Sequence, residues 1–267
     1  MPFTVSHAVV ALALRRVPVP VAAVAVGSMA PDAVLFAPFL PDYTDAHSWW
    51  GILTIDLAVS LVVLAAWWFL VRPAWAPVVP GVRRRLPPDW STAPGTGVRT
   101  GARGVLAVVG ACVLGSATHV FWDGFTHAHG FAVLALPSLR DTVVAGRPLP
   151  FLLQDLSSVV GLGILLLAVV VWWVRTPPRR VSPLRRAEVA VLVTVVVGVV
   201  VVTAAESALV VLHGGGVGTV LVASAFRVPV TVALALVVGA VALLVERRGV
   251  LARSTLSRIQ RRRDGVR

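Results

Sequence analysis

The chain has 267 residues, 57% of them hydrophobic, with a net charge of +12 and a mean hydropathy of +0.88. Soluble domains are nearer about half apolar and interrupt those residues with charge; here they gather into uncharged runs such as 189–205 and 228–245, which leaves no room for a sizeable soluble domain. All 24 basic residues are arginines, set between the apolar runs and at the C-terminal end instead of among aromatic or polar readers, so membrane topology accounts for the charge and nucleic-acid binding is excluded.

The opening Met1-Pro2-Phe3-Thr4-Val5-Ser6-His7 lacks the basic region of a secretory signal. Its apolar run ends at Arg15-Arg16 without a clear cleavage site, so the segment is expected to be retained, His7 with it. Residues 8–14 are too few to cross a hydrocarbon layer about 30 Å thick, and Pro18 and Pro20 interrupt any helix continuing beyond them. Either one kinked crossing or a re-entrant helical hairpin fits, the hairpin needing protein around its exposed backbone.

Five runs then have the length a crossing needs, at 51–71, 104–125, 151–174, 187–212 and 217–245. The linker 72–103, rich in Pro, Gly and Arg, reads as irregular, and Pro177, Pro178 and Pro183 should stop the third run. The basic tail from Arg247 reads as a short helix lying on anionic lipid. The expected fold is all-α: a polytopic membrane helix bundle of about five transmembrane helices plus an N-terminal short or re-entrant helical hairpin. Its expected organisation is 1–165 with the linker 72–103, then 166–246, then the tail 247–267. The single Cys112 excludes an intramolecular disulfide framework.

Arginine placement predicts orientation. The linker 72–103 holds six, residues 175–186 hold five and the tail holds eight, against Arg140 and Arg147 alone in the opposing loops. Five crossings put all nineteen on one side, expected to be the cytoplasm, with residues 31–50 and 126–150 outside. The lipid bilayer is the expected partner, with anionic lipids near the basic tail.

Five of the six histidines, His7, His47, His119, His127 and His129, lie in the first half beside Asp32, Asp45 and Asp123. His119 and Asp123 are four apart, which stacks them on one helix face. That spacing suits two ligands of one metal or a hydrogen-bonded pair that locks two helices together. His127 continues the face if the helix survives Gly124. Asp32, after Pro31, is a loop or cap aspartate or a ligand. His47 precedes Ser48-Trp49-Trp50-Gly51, where tryptophans mark a membrane boundary. Asp56 lies inside the first span and either orients a ligand histidine or bridges helices. Gln154 opens the third span, with Asp155, Ser157 and Ser158 nearby. Glu206 and Arg227 match in depth across the Gly214-Gly215-Gly216 turn and are expected to form a structural ion pair, with a transport role as the alternative.

The stretches Pro2-Phe3-Thr4-Val5-Ser6-His7, Gly27-Ser28-Met29-Ala30-Pro31-Asp32, His47-Ser48, Gly115 through His127 and Gln154 to Gly161 resemble an uncharacterised family of bacterial membrane proteins. The resemblance covers residues 1 to about 165 well and the rest by hydropathy. More distantly, the ordered pattern is similar to bacterial inner-membrane proteins labelled as predicted membrane-bound metal-dependent hydrolases. Those carry an early histidine, a Pro-Asp, a His-Ser and a Gly-x-x-x-His-x-x-x-Asp helix, matched here by His7, Pro31-Asp32, His47-Ser48 and Gly115, His119 and Asp123. The further Asp and His usual after their Pro-Asp are replaced here by Ala33-Val34-Leu35-Phe36.

This resemblance implies that His7, Asp32, His47, His119 and Asp123 converge on one metal site, with His127, His129, Asp56 and Gln154 as accessory groups. A histidine and carboxylate set suits zinc, manganese or iron. The implied activity is hydrolysis of a phosphoester or lipid-like substrate at the outer face of a bacterial cytoplasmic membrane. The rivals are a non-catalytic protein with a structural His/Asp cluster and a transporter accessory. Convergence also bears on the N-terminus: on one straight helix His7 and Asp32 would stand roughly 37 Å apart, so the chain is expected to double back near residues 15–20.

Overall fold

The computed structural model describes residues 4–91 and 101–264, with side chains to residue 249. It is helical almost throughout. Five helical stretches are long and apolar enough to cross a membrane: Trp49–Trp75, Ala102–Thr126, Leu149–Arg175, Arg186–Leu212 and Val217–Gly249. The chain is a multi-pass membrane protein with the expected five spans. Side chains that would be a liability in water, among them Val62, Leu106, Val159, Leu166, Val200 and Val238, stand exposed along these helices, as a lipid-facing surface requires.

The chain forms two compact units, Met1–Ala65 with Ala93–Pro177, and Ala66–Thr92 with Pro178–Arg267. In the first, a 3-10 turn (Thr4–Ala8) runs into α1 (Val9–Ala13), and after Pro18 and Pro20 the chain returns as α2 (Val21–Gly27). The doubling back is real: Thr4 Oγ1 donates to Asp32 Oδ2 at 2.7 Å. Arg15 and Arg16 are exposed in the bend. A second 3-10 turn (Ala30–Leu35) carries Asp32 and leads to α3 (Tyr43–Ala46) and α4 (Trp49–Leu53). Asp42 caps α3 by accepting from Asp45 N at 3.0 Å, and Ser48 caps α4 by accepting from Gly51 N at 2.8 Å. Helix α5 (Ile55–Ala66) continues the first span.

Helix α7 (Ala102–Thr126) is the spine of this unit and passes through Gly124 unbroken. It crosses α2 at near-backbone contact. A Cβ on Gly27 would lie 2.2 Å from the Cys112 carbonyl oxygen, and one on Gly115 would lie 2.4 Å from that of Val24. Only glycine permits this approach, a small-residue crossing of the kind membrane helices use. Short helices α8 (Phe131–Ala135) and α9 (Pro137–Arg140) and a two-residue hairpin of β1 (Val143–Val144) and β2 (Arg147–Pro148) lead into α10 (Leu149–Arg175), which packs on the N-terminal turn.

In the second unit, the π turn Trp67–Val71 and α6 (Arg72–Trp75) pack against α12 (Val217–Asp264), which forms a hairpin with α11 (Arg186–Leu212) through Gly214 at φ 81°. The core here is Ala74, Trp75, Val78, Ala240 and Leu243, and Trp75 Nε1 donates to the Leu236 carbonyl at 2.8 Å. Two expectations are corrected. Glu206 and Arg227 line a common crevice, yet no ion pair joins them among the described residues. The tail is not a separate short helix, since α12 continues unbroken to Asp264. In the linker, residues 76–91 are turns as expected, and 92–100 lie outside the described residues.

Candidate metal centre

Three segments of the first unit bring four polar side chains together. Helix α7 presents His119 and Asp123 one turn apart, both buried, with Nε2 and Oδ2 at 3.3 Å. The second 3-10 turn supplies Asp32, whose Oδ1 is 3.6 Å from His119 Nε2. His47, the C-cap of α3, places its Nε2 3.3 Å from His119 Nε2, 3.5 Å from Asp123 Oδ2 and 3.7 Å from Asp32 Oδ1. These four ligand atoms all lie within 4.8 Å of one another.

The outer hydrogen bonds decide what faces inward. His119 Nδ1 lies 2.8 Å from the Ser28 carbonyl oxygen, and His47 Nδ1 lies 3.0 Å from that of Tyr43. A carbonyl only accepts, so each Nδ1 is the donor and Nε2 is the nitrogen turned inward, a bare lone pair whenever the ring is neutral. Asp32 is oriented likewise, its Oδ2 taken by Thr4 and its Oδ1 left for the centre. Two histidine nitrogens and two carboxylate oxygens thus face one another, an arrangement that a cation between them satisfies. The five distances of 3.3 to 3.7 Å are close to the edge of about 3.3–3.4 Å of a tetrahedron with bonds of about 2.0–2.1 Å. The buried group Asp32, His47, His119 and Asp123 can hold a metal ion.

His7 stands beside this group. Its ring stacks on His119 with centroids 3.8 Å apart, and its Nε2 is 3.7 Å from Asp123 Oδ1. Both of those atoms are buried without a hydrogen-bond partner. Burial, then the neighbouring His119, pushes the His7 pKa down to about 3, so its ring is neutral. His127 sits at the rim, a quarter exposed, with Nδ1 3.4 Å from Asp123 Oδ2; burial lowers its pKa and Asp123 opposes the shift. His129 is exposed and is not among the four grouped ligands. Asp56 is fully buried, neither of its carboxylate oxygens has a hydrogen-bond partner, and it orients no histidine directly, although His47, His119 and Asp32 are near enough to act on it electrostatically. Gln154 is buried on α10, its Nε2 without a partner, and its carbonyl accepts from Ser157 and Ser158. Asp155 is not drawn in; it pairs with Arg147 at the surface.

Two residues of the site went unassigned in the sequence. Tyr43, the only tyrosine, stacks on His47 at 3.7 Å and donates from its hydroxyl to Asp123 Oδ2 at 3.3 Å, with His127 Nε2 at 3.4 Å. Burial and then Asp123 push its phenol well above the usual range, so it remains a donor. Its i, i+4 spacing to His47 was the available signal. Thr4 lies within the family-like stretch Pro2 to His7, but nothing in the sequence tied it to Asp32.

A family model described as domain of unknown function (DUF4184) matches residues 1–246. No curated protein and no solved structure matches the chain.

Proposed function

We propose that this chain, which belongs to the DUF4184 family, is a membrane-embedded metal-dependent hydrolase acting on a phosphoester or lipid-like substrate at the outer membrane face. The reading rests on one observation: two inward Nε2 lone pairs, 3.3 Å apart, share a buried pocket with two carboxylates. A divalent cation satisfies that set, and two nitrogens with two oxygens suit zinc, manganese or iron.

A divalent ion there would supply Lewis acidity to a phosphoryl or acyl oxygen and acidity to a bound water. The protein's own groups do the rest. Asp32, His47, His119 and Asp123 hold the ion, and Ser28, Thr4 and Tyr43 fix their orientation. Neutral His7 and partly exposed His127 flank Asp123 and can pass a proton at Nε2 or Nδ1. Exposed Trp49 and Trp50 lie just past His47 in the chain and suit a headgroup-level position for the site. The arginine distribution supports a cytoplasmic C-terminus with the site facing outward, and the resemblance of its motifs suits the inner membrane of a bacterium, with the bilayer as partner.

A structural ion is the second reading, because four protein ligands can close a tetrahedral site. Purification in mild detergent without chelators, followed by metal analysis, tests both. One metal per chain, lost in His119→Ala and Asp123→Ala, is expected; a metal-free unsubstituted protein would sink the proposal. Phosphodiesterase and lipase screens of the loaded protein then separate the two, and inertness toward every substrate class leaves the structural ion standing.

A further inference from the structure

In the second unit, two polar segments at the ends of membrane helices are pinned together. Residues 76–91 come after α6, and residues 178–185 precede α11. Arg179 N donates to the Arg84 carbonyl at 2.6 Å, Arg83 Nη2 to that of Ser182 at 2.7 Å, and Arg84 Nε to that of Arg179 at 3.4 Å. The Arg179 guanidinium closes on the Leu86 carbonyl. Between the segments lies a cleft of about 480 Å³ that holds Arg83, Arg84 and Arg180. A second cleft, of about 180 Å³, shares Arg83 and is lined by Arg179, Trp90 and prolines. Among the described residues, no carboxylate lines either one.

The contrast within the unit is direct. Arg185 and Arg247 are matched by Glu188 and Glu246, at 2.6 to 3.3 Å. Arg83, Arg84 and Arg179 instead bond backbone carbonyls, which orient them without cancelling their charge. Gathering guanidinium groups in one concavity is unfavourable unless an anion joins them, and their planar forks match phosphate oxygens. The larger cleft is the size of a small-molecule site. It lies where α6 ends and α11 begins, so a phosphate held there is at the level of lipid headgroups, and the adjoining Trp90 and prolines offer an apolar wall for the start of the acyl chains.

We infer that this cleft binds the phosphate of an anionic phospholipid through Arg83, Arg84 and Arg180. The inference is independent of the metal centre, which lies in the other unit.

Arg180 gives the clean test, because it makes no hydrogen bond to the protein among the described residues, so Arg180→Gln removes charge without removing an anchor. The full chain, delipidated in mild detergent, is titrated with phosphatidylglycerol and phosphatidylcholine, and adducts are counted by native mass spectrometry. Phosphatidylglycerol should bind preferentially, about tenfold more weakly in Arg180→Gln, the worth of one charge-assisted contact. Arg140→Gln, which alters a surface pair with Asp141, should bind as the unsubstituted chain does. Equal binding by Arg180→Gln, or equal binding of phosphatidylcholine, overturns the assignment. Inorganic phosphate forms the second arm: displacement of the lipid at matched concentration makes free phosphate the ligand and overturns the lipid.

Discussion

The Ser28 carbonyl oxygen holds Nδ1 of His119 at 2.8 Å, and this contact sets which nitrogen of the ring faces the centre. It depends on the close crossing of α2 and α7, where Ser116 Oγ also donates to the Gly27 carbonyl at 3.0 Å. A Cβ at Gly115 would stand 2.6 Å from Ser28 N and 2.4 Å from the Val24 carbonyl oxygen. Gly115→Ala should therefore part the helices and release the ring. The expected cost is about 1–3 kcal/mol of stability from overpacking. Metal affinity should fall roughly 10–100-fold, the usual effect of losing an outer partner. Thermal unfolding in detergent and metal titration read the two effects separately; unchanged affinity would mean that Ser28 does not govern the ring.

Tyr43 offers the complementary case. Its ring packs on His47, while its hydroxyl contacts Asp123 and His127. Tyr43→Phe keeps the ring and removes only the donor. The fold should hold, with a melting temperature close to that of the unsubstituted protein. Metal affinity should weaken about tenfold, the lower end expected for a lost outer contact. A large drop in melting temperature instead would mark the hydroxyl as a structural brace.

Much of the fold was legible because a bilayer imposes length and apolarity together, and all five spans result from those two demands. The His119 and Asp123 pair was legible because i, i+4 spacing fixes a shared helix face. Asp32 and His47 were not placed by spacing; the family-like order of motifs brought them in, and the N-terminal return that carries Thr4 to Asp32 is a tertiary event. Glu206 and Arg227 show the limit from the other side. Counting residues from the turn fixes height along two helices but not rotation about their axes, and no ion pair joins the two among the described residues. The tail failed for a different reason: the end of an apolar run is not the end of a helix, and 250–264 contains no proline to stop α12.

Orientation is open to direct measurement. With nineteen arginines in the linker, the 175–186 segment and the tail, the C-terminus should be cytoplasmic. A C-terminal fluorescent reporter that matures only in the cytoplasm should be active, and a C-terminal alkaline phosphatase should not. A single cysteine placed at Ala145, in the exposed hairpin turn, should react with a membrane-impermeant maleimide on intact cells. The native Cys112 is buried and should stay silent. The opposite pattern would turn the site toward the cytoplasm and remove the outer-face substrate from consideration.

Asp56 should affect metal binding and stability with opposite signs. Its carboxylate is fully buried, neither oxygen has a hydrogen-bond partner, and His47 and His119 are near enough to act on it electrostatically. A negative group close to a cation site strengthens cation binding, whereas an unsatisfied buried polar group destabilises a fold by about 1–3 kcal/mol. Asp56→Leu, which keeps the branching of the side chain, should thus raise the melting temperature of the metal-free protein while lowering metal affinity several-fold. Replacement of a buried charge by a well-packed apolar side chain has this stabilising tendency generally. If Asp56→Leu instead lost stability and kept its affinity, the carboxylate would be acting as a packing element with partners of its own. If both rose together, its charge would be opposing the ion, and the centre would carry less positive charge than two neutral histidines and a divalent cation imply.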